Sequence, residues 1–173
     1  MITGACGFVG STLARGLADS GLVSRVVGID SLVRSGAETN RLALRRLGVE
    51  VRHADLRAPS DLETLPPVDA VVDAAANPSV CAGVDGRTSS RQLFEHNLVG
   101  TLNVLEYCKR VEAGFILLST SRVYSIPPLA GLRVREVEGA YEPDPTEATP
   151  VGLGSEGVGE GFSTEPPLSL YGA

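Results

Sequence analysis

Basic residues are scarce in this chain of 173 residues. Lys and Arg total 15 against 21 Asp and Glu, for a net charge of −6. A general nucleic-acid binder needs a basic face, so that class is excluded. An anionic small ligand is not, because a few backbone N–H groups can hold a phosphate locally. Cysteine is sparse as well. Cys6, Cys81 and Cys108 are odd in number and widely spaced, which suggests neither a disulfide framework nor a zinc site. They read as reduced, packed thiols. The only two histidines, His53 and His96, have no thiol or carboxylate cluster at ligand spacing, so no metal is expected and both read as local packing or polar residues. No apolar run is long enough to cross a bilayer. No charged segment leads into an apolar stretch and a cleavage site. The expectation is a cytoplasmic protein with no membrane partner.

What is present is an alternation. Arg25 to Asp30 (RVVGID), Val49 to Ala54 (VEVRHA), Val68 to Ala74 (VDAVVDA) and Phe115 to Ser119 (FILLS) are short and rich in Val, Ile or Leu. They read as strands, and their near-continuous apolar character suits strands covered on both faces. Between them, Val9 to Ser20, Glu38 to Leu47 and Ser89 to Arg110 carry apolar residues at helical intervals. Strand and helix in turn imply βαβ units and an α/β, doubly wound parallel sheet. The long Ser89 to Arg110 helix could pair with a second copy in a homodimer or be a covered core helix.

From 126 to 168 the texture changes. Seven of the eleven prolines fall there, with five glycines between Gly152 and Gly161. No period persists. A long stretch without structure inside a compact domain is usually functional or disordered. A solvated linker and a lid over a substrate are both open.

At the N-terminus, residues 3 to 10 read Thr3-Gly4-Ala5-Cys6-Gly7-Phe8-Val9-Gly10, directly before a helix. The first glycine permits a tight turn. The second lets backbone approach a pyrophosphate, and the third lets the helix pack on the sheet. The helix start then offers unpaired N–H groups and a positive dipole end. The next strand ends in Asp30, twenty residues after Gly10. An acid there accepts the hydroxyls of an adenosine ribose and repels a 2′-phosphate, which favours NAD over NADP. Arg34 nearby keeps NADP open, and a plain strand-end carboxylate is the alternative for Asp30.

These residues carry a resemblance. TGxxGFVG looks like the pattern of the extended short-chain dehydrogenase/reductases, and further stretches agree in order. His53-Ala54-Asp55-Leu56 resembles a strand-end Asp-Leu pair lying against the adenine. Ala74-Ala75-Ala76 resembles a small-residue strand end beside the cofactor. Asn97 to Glu106 (NLVGTLNVLE) resembles an NxxGTxNxLE helix. Leu118 to Tyr124 (LSTSRVY) resembles an SS/T-x-x-VY element, and Leu170-Tyr171-Gly172-Ala173 the start of a catalytic YxxxK. Together they resemble the NAD-dependent epimerase/dehydratase family, from residue 1 to 125 and again from 170. Its member CDP-tyvelose 2-epimerase is similar in having a long segment between the Ser/Thr element and the Tyr.

The resemblance implies an enzyme that removes hydride from a sugar carbon of a nucleotide-sugar substrate to NAD, giving a transient ketone, as an epimerase (isomerase) or dehydratase (lyase). It implies Thr120 as the hydroxyl that bonds the sugar oxygen and Tyr171 as the base. It implies cofactor contacts at Gly4, Gly7, Phe8, Val9, Gly10, Asp30, Asp55, Leu56, Ala75, Ala76, Asn97 and Tyr171. A phenol titrates near 10 and is a poor base at neutral pH, so the family places a lysine four residues after its tyrosine. Three departures stand out. Asp73 replaces a common His, the 126–168 segment is long, and both ends look cut. The whole of 1–173 is thus expected to be a partial Rossmann-type NAD-binding domain. Its first strand and C-terminal lobe would be truncated, and the chain inactive on its own. The competing class is a non-catalytic dinucleotide-binding sensor or interaction module, since this fold hosts both.

Overall fold

The structure is a computed structural model that describes residues 1–83, 86, 89–144, 149–154 and 157–173. Five parallel strands form its sheet: β1 (Ile2–Thr3), β2 (Val27–Asp30), β3 (Glu50–His53), β4 (Ala70–Asp73) and β5 (Gly114–Leu117), in the order β3-β2-β1-β4-β5. β1 lies at the centre. Ile2 pairs with Gly28 on one side and Val72 on the other. The strand order reverses there, and in such sheets the crevice above the reversal is the ligand site.

Alternation along β2 divides the core in two. Val27 and Ile29 point to the layer of α3 (Pro59–Glu63) and α5 (Gly100–Val111), with Leu62, Val104, Tyr107 and Cys108. Gly28 points the other way, toward the layer of α1 (Phe8–Ser20), where an added Cβ would come within 2.7 Å of Ala5 Cβ in the turn that leads into that helix. That second layer gathers Ile2, Ala14, Val51 and, from α2 (Ala37–Arg46), Leu44. Residues i, i+2 on a strand face one layer and i+1 the other, so a glycine at 28 sets how closely the turn at Ala5 approaches the sheet. The sheet is doubly wound, as the alternation of strand and helix predicts. On α5, Val104, Tyr107 and Cys108 follow the i, i+3, i+4 stripe of a core-facing helix. The Tyr107 hydroxyl donates to the Pro66 carbonyl at 2.5 Å, and Arg110 Nη2 to the Leu62 carbonyl at 2.8 Å.

The structure corrects three expectations. The span Ser89 to Arg110 is not one regular helix: α4 (Ser90–Leu93) passes through a π-helical turn, Phe94–Val99, before α5. The His96 ring Nδ1 lies 2.6 Å from the Gln92 carbonyl, the oxygen an α-helical N–H would have used, and the Gly100 N–H reaches back five residues to Glu95. Coverage on both faces holds at β2 but fails at β5, where Ile116 and Leu117 are more than half exposed. The segment from 126 to 168 is not structureless. It holds α6 (Ile126–Ala130) and two hairpins, β6 (Val134–Val137) with β7 (Ala140–Pro143) and β8 (Leu153–Gly154) with β9 (Gly157–Val158). The first hairpin turns through Glu138 and Gly139, both at positive φ, the conformation a two-residue hairpin loop requires.

Candidate functional site

The site begins with the turn between β1 and α1. Gly4 has φ +58, and an added Cβ there would lie 2.8 Å from Ala75 Cα. A Cβ at Gly10 would overlap the Gly4 carbonyl. The Gly7 N–H donates to the Gly4 carbonyl at 2.9 Å and the Ser11 N–H to the Gly7 carbonyl at 3.0 Å. Gly7 is the N-cap of α1, with no side-chain cap and no acid in the first turn. The first N–H groups therefore remain open toward the crevice, an arrangement that suits a pyrophosphate.

Asp30 ends β2 beside this turn. Its Oδ2 accepts the Cys6 N–H at 2.9 Å, and its Oδ1 accepts the Leu32 N–H at 2.8 Å. Asn40 of α2 donates from Nδ2 to the Cys6 carbonyl at 3.0 Å and accepts from Arg15 at its Oδ1. Both polar groups of the Cys6 backbone are thus held by side chains from other elements. Asn40 was missed by sequence reasoning, because nothing local ties it to residue 6. Each Asp30 oxygen keeps a lone pair for a ribose hydroxyl.

Asp55 and Leu56 follow β3. The Arg57 guanidinium grips Asp55 through contacts between 2.6 and 3.1 Å, and this hydrogen bonding holds the Asp55 carboxyl below its usual range despite partial burial. Asn103 of α5 donates to the Leu56 carbonyl at 2.7 Å.

Beyond β4, the Thr3 hydroxyl accepts the N–H groups of Ala74 and Ala75, each at 3.0 Å, and donates to Asp73. Asn97 Oδ1 accepts the Asn77 N–H at 2.7 Å, and its Nδ2 donates to the Asn77 carbonyl at 3.2 Å. The π-helical turn presents Asn97 to this loop. Asn97 stands behind the wall it supports rather than on it.

One crevice of about 690 Å³ unites these parts. Gly4, Gly7, Phe8, Val9, Gly10, Asp30, Asp55, Leu56, Ala75, Ala76 and Tyr171 all line it. His96 lines it as well. Arg34 and Arg57 are the arginines on its wall. Thr120 is not on the wall, although Leu118 and Ser119 before it are. Thr120 Oγ1 caps the short turn Ser121–Val123 by accepting the Arg122 N–H at 3.2 Å. Tyr171 reaches the crevice because the chain after 162 returns to this turn. Ser125 N–H donates to the Ser163 carbonyl at 2.8 Å and Ile126 N–H to the Pro167 carbonyl at 3.1 Å, and Gly172 packs so closely on the Arg122 carbonyl that no Cβ fits. Phe162 is buried edge-on against Tyr124, with ring centroids 5.6 Å apart. Among the described residues, no group of three metal-ligating side chains gathers and no helix is long and apolar enough to cross a membrane.

Known proteins resemble this chain in sequence and in fold. Residues 1–148 match the family described as NAD dependent epimerase/dehydratase. The chain is 32% identical over 147 residues to the CDP-paratose 2-epimerase of Salmonella typhi, covering 82% of this chain and 41% of that enzyme. It is 33% identical over 127 residues to UDP-glucuronic acid decarboxylase 4 of Arabidopsis thaliana, covering 73% of this chain and 27% of that one. The UDP-glucose-4-epimerase of Stenotrophomonas maltophila, solved with bound NAD, superposes with a TM-score of 0.60 at 26% identity, over 72% of this chain and 37% of that chain. The UDP-glucose 4-epimerase of Thermus thermophilus, solved as an NAD complex, gives 0.58 at 28% identity, over 82% and 43%. The chain spans less than half the length of each of these relatives. With the glycine turn, the Asp30 strand end and the crevice in register, this chain belongs to the NAD dependent epimerase/dehydratase family.

Proposed function

We propose that residues 1–173 are a partial NAD-binding domain of a cytoplasmic sugar-nucleotide epimerase or dehydratase, with 126–168 as an inserted segment. The observation that carries this reading is the single crevice on which the glycine turn, Asp30, Asp55 and Tyr171 converge from four separate parts of the chain. The open N–H groups of α1 bind the pyrophosphate, and Gly7 lets the backbone approach it, while Gly4 and Gly10 let the turn close on Ala75 and on itself. Asp30 takes the adenosine ribose; Asp55 and Leu56 lie against the adenine. When bound, NAD supplies the hydride acceptor that turns a sugar carbinol into a transient ketone. The Thr120 hydroxyl accepts from Arg122 and donates to no described residue, so its proton is free for a sugar oxygen. Tyr171 takes the carbinol proton.

The one lysine of the chain, Lys109, is exposed on α5 beside Glu106. No lysine lines the crevice, so the ammonium that the family sets four residues after its tyrosine base is not on its wall. On its own the chain therefore binds NAD without turning over a nucleotide sugar. Leu98 in the π-helical turn and Leu102 and Leu105 on α5, all exposed, support pairing with a second copy.

Calorimetric titration with NAD, with ADP-ribose and with UDP-, CDP- and dTDP-sugars tests this reading. NAD and ADP-ribose bind, and no sugar product forms with the chain alone. Failure of both ligands to bind would overturn it. Failure of any longer form to turn over nucleotide sugars would favour the non-catalytic module.

A further inference from the structure

Asp73 ends β4 with only 2% of its surface exposed. Its Oδ1 accepts from the Thr3 hydroxyl and its Oδ2 from the Thr101 hydroxyl at 3.0 Å. Thr3 has no freedom in this. Its oxygen already accepts the Ala74 and Ala75 N–H groups, so its proton must go to Asp73. With the Thr3 proton committed to Oδ1 and the Thr101 hydroxyl 3.0 Å from Oδ2, both carboxyl oxygens are met by hydroxyl groups, surroundings that suit a carboxylate. Among the described residues, no ion pair involves Asp73. A buried negative charge without a cation is costly, and proteins retain one where something else answers it.

Its position indicates what that is. Through Thr3 the carboxylate braces the peptide groups of Ala74 and Ala75, which line the crevice. Asp73 also pairs with Leu117 in the neighbouring strand, and its carbonyl accepts the Leu118 N–H at 3.1 Å. It therefore lies directly behind Ala74, Ala75, Leu118 and Ser119, on the β4–β5 side of β1 where Gly172 packs on the Arg122 carbonyl beside Tyr171, whereas Asp30 ends β2 on the other side of β1. With the ribose of the adenosine at Asp30, the nicotinamide belongs to the β4–β5 side.

Resting on the NAD reading above, we propose that Asp73 is an electrostatic positioning residue: a fixed buried charge that favours the oxidised, cationic nicotinamide over the neutral reduced ring. It touches neither cofactor nor substrate. It acts through the field across a thin wall of small residues, where a charge is poorly screened.

The test is the affinity of the full chain for three ligands. NAD⁺ and NADH differ by one charge at the ring, and ADP-ribose lacks the ring altogether. In Asp73→Asn, the ratio Kd(NAD⁺)/Kd(NADH) rises roughly five- to tenfold, the scale of one charge acting through a protein-like dielectric, while ADP-ribose affinity is unchanged. Thr101→Val, which removes a hydrogen bond but keeps the charge, leaves the ratio as it was. Should Asp73→Asn fail to fold, Asp73→His reads the same ratio. In the unmodified chain NAD⁺ binds more tightly than NADH, and the reverse order overturns the assignment whatever the variants do. An unchanged ratio in Asp73→Asn, or equal weakening of all three ligands as expected of a plain structural brace, also overturns it. Absence of ADP-ribose binding by the unmodified chain would instead remove the cofactor reading, and this assignment with it.

Discussion

The carboxylate of Asp30 accepts the backbone N–H of Cys6 at 2.9 Å. A residue at the end of the second strand thereby fixes the turn that follows the first. Asp30 holds the glycine turn, and in the proposed reading it also faces a ribose. Asp30→Ala removes both, and NAD affinity should fall by about 1.5–3 kcal/mol, the scale of a charged hydrogen bond. Preference over NADP should narrow at the same time. Parallel titrations with the two cofactors check it. Equal affinity of the unmodified chain for NAD and NADP would show that Asp30 does not read the ribose.

Two glycines of α1 should respond in opposite directions to alanine. At Gly10 the new methyl would collide with the Gly4 carbonyl, so the turn must open. Overpacking of this kind costs about 1–3 kcal/mol, and NAD binding should be lost with it. At Gly16 nothing lies within 4 Å and the position is exposed. There alanine should stabilise by about 0.5–1 kcal/mol through helix propensity alone. Thermal unfolding of the two variants separates the cases. A destabilised Gly16→Ala would contradict the open surface assigned to it.

The three thiols should differ sharply in reactivity. Cys6 is buried in the glycine turn, and burial, with the Asp30 charge second, pushes its thiol up to about 11. Burial raises Cys108 too, followed by the charge of Asp73. Cys81 is exposed. Because the thiolate is the reactive form, a thiol reagent at neutral pH should modify Cys81 alone in the folded chain, and all three after denaturation. Rapid labelling of Cys6 in the native state would disagree with its burial.

Acid should weaken the Asp55–Arg57 contact. The pair closes at 2.6 Å and lowers the Asp55 carboxyl below its usual range. A carboxyl lowered in the folded state contributes stability above its unfolded value, about 3.9, and loses it as pH falls through the lower folded value. Arg57→Met should therefore raise the Asp55 titration and flatten the acid limb of stability. Both side chains are partly exposed, so salt should reduce the effect. Denaturant unfolding between acidic and neutral pH, at low and high salt, measures it. An identical acid limb in the variant would remove Arg57 as the cause.

The fold was legible because its signals are local. Gly4, Gly7 and Gly10 before a helical stripe, followed by a strand ending in Asp30, are readable wherever they occur. The four apolar runs from Arg25 onward became strands β2 to β5, the first three trimmed at their ends and the last shifted to begin at Gly114, where pairing with Ala70 starts. The hairpin at Glu138 and Gly139 was also legible in principle, as a two-residue turn between short β-prone runs. It was obscured by the prolines around it.

What the sequence by itself determined, then, is the α/β order of elements, the glycine turn and the acid one β–α–β step beyond it, because the first two depend on near neighbours and the third on the fixed length of that unit. Only the tertiary structure decided which partners those residues take. Asn40 reaches Cys6 across 34 positions, Thr3 meets Asp73 across 70, and Asn97 holds Asn77 from a π-helical turn. None of these pairings leaves a trace in composition or periodicity, because hydrogen bonding between distant segments is fixed by sheet order and helix packing. The same cause explains why Tyr171 reaches the crevice: Gly172 fits against the Arg122 carbonyl, a close approach that exists only once the chain has folded back on itself.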